Sequence, residues 1–354
     1  MKTTKPRQVL LIYVDTYKKD QLDYLTEFNH LIHSNAMQAI LCARFLVREI
    51  KPATYLSSGQ LTNLFDLIKL TDCKTLVFSI PVQARIQRNL EKQLCVSVID
   101  RTEMLLQLFE SRADTSVGKI QVELARLEYM STKLVRGWTH LERQKGGIGL
   151  RSGPGETQIE VDRRILRNRQ TKLRKQLQSL QKTQSLNRKR RVISDIPVVA
   201  LVGYTNAGKS TLFNRLTGSD THVMDQLFAT LDPLVRKAKI GLKEVLLVDT
   251  IGFIRSLPSS LSTAFRSTLQ EIAFSDLLLH VVDTKDVLYQ EKIHIVEETI
   301  ASLDCSHIPV MMVYNKCDVS GFVSEQGVSL SAIDGSGVGN LKKQLFTRLF
   351  QTLS

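Results

Sequence analysis

The stretch GYTNAGKST, residues 203–211, directly follows the apolar run VVALV and constrains this chain more tightly than any other segment. It fits G-x-x-x-x-G-K-[ST] between an expected strand and an expected helix, the setting in which that spacing builds a phosphate-binding loop. A strand, a glycine-framed turn and a helix N-terminus must then meet at one point, which is the geometry of an open α/β sheet. The remainder agrees, since VVALV, EVLLVD, LLLHVVD and VMMVYN recur at intervals, each followed by a plausible helix or loop. Residues 197–354 are therefore expected to form a doubly wound domain with a mostly parallel sheet.

The chemistry follows from the residues at the strand ends. The loop glycines let backbone N–H groups wrap phosphates, Lys209 places a charge on the terminal ones, and the Ser210 hydroxyl is offered to Mg²⁺. VLLVDTIGF ends a buried strand in Asp249, which can steady the hydrated Mg²⁺, and Gly252 lets a backbone N–H approach the γ-phosphate. Thr230, in LFATLDP, lies where a switch segment must reach metal and phosphate, and is preferred over Thr221. VYNKCD presents Asn315, Lys316 and Asp318 in the N-K-x-D arrangement that reads guanine. A carboxylate at Asp318 accepts from the ring N–H and the 2-amino group, a pair adenine lacks, so the site selects GTP over ATP. Ser331 and Ala332, in LSAID, are placed to support the base.

The expected nucleotide contacts are thus Gly203, Tyr204, Thr205, Asn206, Ala207, Gly208, Lys209, Ser210, Thr211, Phe228, Thr230, Asp249, Gly252, Asn315, Lys316, Asp318, Ser331 and Ala332. Lys209, Thr230 and Gly252 are the catalytic candidates, and Ser210, Thr230 and Asp249 the metal ligands. Ras-like GTPases carry a water-orienting glutamine after D-x-x-G; here it is Phe253, which is expected to pack and to leave the isolated enzyme slow.

Upstream, the 354-residue length and 43% hydrophobic content allow two or three domains. Residues 1–117 alternate VLLIYVD, DQLDYLTEFNHLI, TLVFSI and VSVID, the rhythm of a small α/β domain with a largely parallel sheet. Over 118–184, Ile120, Leu124, Leu127, Leu134, Trp138 and Leu141 mark one helix face, and Ile159, Leu166, Leu173, Leu177 and Leu180 mark another. GGIGLRSGPGE separates them, so an antiparallel helical pair with a glycine-rich junction is expected, followed by a basic linker over 185–196. Between Arg163 and Arg191 stand twelve Lys/Arg and no Asp or Glu, nearly the whole formal net charge of +13. That stripe is expected to face solvent and to contact RNA. The five cysteines form no C-x-x-C pair and the seven histidines are scattered, which implies neither a disulfide framework nor a transition-metal site. No apolar run approaches the roughly 18 to 20 residues of a membrane span. A cytoplasmic monomer is expected, with peripheral association at a membrane left open.

With these residues assembled, the chain resembles the HflX family of translational GTPases. The resemblance rests on QRNLEKQLCVSVIDRTEMLLQLFESRA, GGIGLRSGPGETQIEVDRR, GYTNAGKSTLFNRLT, FATLDP, DTIGFI and NKCD, and the glycine-rich junction is its most specific part. It implies a Mg²⁺-dependent enzyme that turns GTP into GDP and phosphate, binds ribosomal RNA on the large subunit, and in several members separates ribosomal subunits under stress. A large-subunit assembly GTPase, and an RNA-binding module using GTP only as a conformational ligand, stay open as alternatives. In similar GTPases an asparagine at the position of Asn206 helps hold K⁺ beside the phosphates. Two features depart from the family: YLSSGQLTNL matches its glycine-bearing segment only loosely, and some members extend into a further C-terminal domain. Whether the N-terminal domain holds a nucleotide of its own is open.

Overall fold

The computed structural model describes residues 6–15, 22–137, 158–193, 196–219, 227–228, 230–255, 258, 261, 269 and 272–351. The chain divides into two compact units, Met1–Ser111 with Val122–Gln176, and Arg112–Gln121 with Leu177–Ser354. The glycine-rich junction and Thr221 lie outside the described residues. Among those described, no helix is long and apolar enough to cross a membrane.

In the first unit, β1 (Arg7–Asp15), β2 (Met37–Leu46), β3 (Thr75–Phe78) and β4 (Ser97–Asp100) form a parallel sheet in the order β2-β1-β3-β4. The run VLLIYV makes β1 an inner strand, because a strand covered on both faces is apolar throughout. Helices α1 (Leu22–Ser34), α2 (Ser58–Thr71), α3 (Ala84–Leu94) and α4 (Arg101–Arg112) complete the layers. Ser57 caps α2 reciprocally with Gln60, and Leu10, Ile12, Leu64, Phe78 and Leu90 are fully enclosed. The sequence reading named β1, α1, β3 and β4 but not β2, an edge strand with Ile40, Leu41 and Leu46 exposed.

The helices of the middle segment are α5 (Ser116–Gly137) and α6 (Gln158–Ile193). Leu124 and Leu173 of the expected stripes are buried, Ile120, Leu127, Leu166, Leu177 and Leu180 are half-buried, and Val122 and Ala125, outside the stripes, are buried as well. One expectation is corrected. The segment read as a linker is helical through Ile193, since Gln, Leu, Arg and Lys are good helix formers and like charges alone do not end a helix. Among the described residues the basic stripe is exposed apart from the half-buried Arg163, and on that surface Arg169 pairs with Glu123 at 2.6 Å and Arg174 with Glu128 at 3.0 Å.

The second unit holds a six-stranded sheet in the order β10-β9-β8-β5-β7-β6. Its strands are β5 (Val198–Val202), β6 (Leu234–Ile240), β7 (Lys243–Asp249), β8 (Leu277–Asp283), β9 (Val310–Asn315) and β10 (Val328–Ser329). All neighbours run parallel except the β6–β7 hairpin. Helices α7 (Lys209–Thr217), α8 (Tyr289–Ser302), α9 (Cys317–Ser320) and α10 (Val338–Phe346) accompany the sheet. Leu201, Phe213, Leu247, Leu279, Val313 and Leu341 form the core of this unit.

One buried group stands apart. His280, on the inner strand β8, is 1% exposed and its Nδ1 has no hydrogen-bond partner. Burial, with the Lys209 ammonium adding to it, pushes the imidazole down to about 4 from an ordinary 6.5. A base whose folded value lies below its unfolded one is bound neutral, so its contribution is fully present above pH 6.5 and is lost as pH falls through about 4. Over that window the loss approaches about 3 kcal/mol. In urea titrations across the same window, His280→Leu should lose correspondingly less stability than the parent chain.

Candidate functional site

Residues that follow the carboxyl ends of β5, β7, β8 and β9 converge on one cleft of about 490 Å³. The loop after β5 turns into α7 at Gly208, whose φ of 90° is a conformation that side chains disfavour and whose missing Cβ leaves room for the Asn315 amide. Lys209, 6% exposed, folds back so that its Nζ donates to the carbonyls of Gly203 at 3.1 Å and Tyr204 at 2.8 Å. Burial lowers its ammonium to about 8, against the pull of Asp249 in the other direction. An anion seated in the loop would restore the charge that burial disfavours.

Three oxygen-bearing side chains meet beside it. Ser210 Oγ and Thr230 Oγ1 each donate to Asp249 Oδ2 at 2.7 Å, and the two hydroxyls lie 2.9 Å apart. Asp249 is fully buried, and its second oxygen, Oδ1, has no hydrogen-bond partner. Burial raises this carboxyl, opposed by the bonds from Thr230 and Ser210 and by Lys209. A desolvated carboxylate oxygen with two hydroxyls at its side is a hard-oxygen donor set of the kind Mg²⁺ takes.

The segment after Asp249 is stitched to the phosphate loop through its backbone. Thr205 N donates to Phe253 O at 2.8 Å and Phe253 N to Gly203 O at 3.1 Å, while the Phe253 ring is buried as expected. Gly252 sits so close that a Cβ would stand 2.9 Å from Thr205 and 3.0 Å from Lys209 Nζ. Tyr204 adds a further tie, its hydroxyl accepting from Arg255 N at 3.0 Å.

On the other side, Asn315 is 2% exposed and spends its amide on the protein itself. Its Nδ2 donates to Ala207 O and its Oδ1 accepts from Ala332 N, both at 2.9 Å, so it joins the phosphate loop to the Ser331–Ala332 loop. Lys316, at φ 65°, reaches Asn206 O at 2.9 Å and Asp283 Oδ2 at 2.6 Å. Ser331 is fully buried and accepts from Asp334 N at 3.3 Å. Asp318 is exposed in the first turn of α9, Thr211 is half-buried on α7, and Phe228 is buried at φ 53°.

The structure therefore gathers the expected P-loop, Thr230, Asp249, Gly252 and the Asn315–Lys316 pair, with Ala332 bound to Asn315. It adds Asp283, which orients Lys316, and Arg215, which donates to Ala332 O at 3.2 Å. Asp283 had a visible signal, an acidic residue closing the apolar run LLLHVV. Arg215 had none.

Comparison with known proteins meets this geometry from another direction. Residues 198–316 match the family model described as 50S ribosome-binding GTPase, residues 22–110 that of GTP-binding GTPase N-terminal, and residues 112–191 that of GTP-binding GTPase middle region. A crystal structure of a GTP-binding protein from Sulfolobus solfataricus in complex with GDP superposes with a TM-score of 0.52 at 22% identity, covering 98% of this chain and 100% of the other, and shows the fold. Fold and site together define a P-loop GTPase, an enzyme that binds GTP and GDP and hydrolyses GTP. GTPase HflX of Escherichia coli (strain K12) is 42% identical over 353 residues, 97% of this chain and 83% of that protein, and GTPase HflX of Magnetococcus marinus is 44% identical over 332 residues, 91% and 76%. The chain belongs to the HflX family of ribosome-binding GTPases.

Proposed function

We propose that this GTPase works on the large ribosomal subunit, holding ribosomal RNA through α6 and using Mg²⁺-GTP to order the segment carrying Thr230 while ribosomal subunits are separated. The observation that carries the nucleotide half is the Ser210–Thr230–Asp249 cluster with its unpartnered Asp249 Oδ1. Ser210, Thr230 and Asp249 would hold the Mg²⁺, which supplies positive charge to the phosphates. Lys209 binds the terminal phosphates, and the Gly252 backbone N–H donates to the γ-phosphate. Asp318 reads guanine beside Lys316, whose ammonium Asp283 and the Asn206 carbonyl hold in place.

Phe253 has no group with which to orient water, and its backbone is committed to the phosphate loop. Further transition-state charge has to come from elsewhere, and K⁺ held with the help of Asn206 is the candidate. The RNA half rests on α6. Arg169 and Arg174 are partly neutralised by glutamates of α5, which leaves Arg167, Lys172 and Lys175 among the exposed cations of this helix.

Asp318→Asn should lose affinity for GTP and gain it for xanthosine triphosphate, whose 2-carbonyl an amide can donate to; unchanged GTP titrations would remove Asp318 from the base pocket. Turnover should be faster in K⁺ than in Na⁺ at matched ionic strength, with the difference abolished in Asn206→Ala; equal rates in the parent would end that assignment. Replacing Arg167, Lys172 and Lys175 with glutamine should weaken co-sedimentation with large subunits and reduce its salt slope by about 0.7 to 0.9 for every phosphate that is no longer neutralised. Light scattering of joined ribosomes, read alongside, distinguishes subunit separation from binding to free large subunits.

A further inference from the structure

Two residues beyond Thr230, a carboxylate is engaged in an arrangement that nucleotide binding leaves unexplained. Asp232 Oδ2 accepts from the backbone N–H groups of Asp114 at 3.2 Å and Thr115 at 2.9 Å, and its Oδ1 accepts from the Thr115 hydroxyl at 2.6 Å. That hydroxyl in turn accepts from Gly118 N at 3.0 Å, inside the first turn of α5. One anion thus gathers donors at the entry of a 22-residue helix, where unpaired N–H groups and the positive end of the helix dipole both favour negative charge. The receptor is shaped for it: a Cβ at Gly118 would stand 2.5 Å from Asp232 Oδ1. The partners are 117 and 118 residues apart in sequence, yet all belong to the nucleotide-binding unit, which includes Arg112–Gln121.

We propose that Asp232 is a positioning residue for Thr230, and that the start of α5 is the fixed point from which the switch segment holds its metal-binding hydroxyl in place. Between the two, Leu231 is 2% exposed, and Pro233 follows Asp232 directly, so the segment has little freedom to relay a movement of one without the other. The coupling is reciprocal. Whatever orders Thr230 stabilises the N-terminus of α5, and whatever disturbs that N-terminus loosens Thr230. This role for Asp232 rests on Thr230 being a Mg²⁺ ligand.

The test uses the full chain and four variants: Thr230→Ala, Asp232→Asn, Thr115→Val and Gly118→Ala. The readouts are the Mg²⁺ concentration for half-maximal GTP turnover and the affinities for GDP and for a non-hydrolysable GTP analogue. Asp232→Asn removes the charge from three hydrogen bonds and should weaken analogue binding and raise the Mg²⁺ requirement on the order of tenfold. Affinity for GDP, whose binding does not call on Thr230, should stay within about twofold, which also reports an intact fold. Gly118→Ala displaces the carboxylate without altering it and should reproduce the effect, and Thr115→Val should give part of it. Adding Asp232→Asn to Thr230→Ala should change little further, because both act on one contact. If Thr230→Ala shows the defect while Asp232→Asn and Gly118→Ala keep the parent's Mg²⁺ dependence, the positioning role is overturned. If Thr230→Ala itself is silent, the metal reading falls and the positioning role falls with it.

Discussion

The nucleotide-binding unit is arranged around one costly group, the carboxylate of Asp249 at the end of an inner strand. A buried carboxylate raises its own proton affinity unless donors or cations answer it, and here two hydroxyls answer one oxygen while the other has no partner. The hydroxyls come from different segments, Ser210 from the first turn of α7 and Thr230 from the stretch before β6. Satisfying Asp249 therefore requires the phosphate loop, the segment carrying Thr230 and β7 to be in register together. Folding thus draws on Oδ2, while Oδ1 of the same carboxylate is left for another partner.

Around that centre the cleft is made rigid by bonds from backbone to backbone and from side chain to backbone. Phe253 exchanges amide and carbonyl partners with Gly203 and Thr205 of the loop, and Asn315 uses both ends of its amide to hold two loops at once. Buried polar groups of this kind are costly to leave unpaired and specify one arrangement when fully paired. Both ties act on the phosphate loop, through Gly203 and Thr205 on one side and Ala207 on the other.

Much of this was legible in the sequence because the motifs are local. A P-loop, D-x-x-G and N-K-x-D each place their residues within one strand end and the turn after it, and inner strands such as VVALV announce themselves as unbroken apolar runs. Edge strands do not. In β6, LVRKAKI mixes buried and open positions because it pairs on one side only, and β2 is no clearer. Asp283, Arg215 and Asp232 were illegible as partners for another reason, since each acts on a residue at least 33 positions away. The expected linker is helical to Ile193 because a run of cations does not outweigh the helix-forming character of the Gln, Leu, Arg and Lys residues around Asn187.

The β6–β7 hairpin carries one more implication. Leu234, the first residue of β6, pairs with Asp249, the last of β7, so the ribbon folds the chain back to its own starting point. Thr230 and Asp249 are 19 residues apart along the chain, yet almost all of that length is spent in the β6–β7 hairpin at the edge of the six-stranded sheet and only Leu231 to Pro233 lie between Thr230 and the hairpin. A short tether searches a small volume, so holding Thr230 against the carboxylate costs little entropy on this side of the chain.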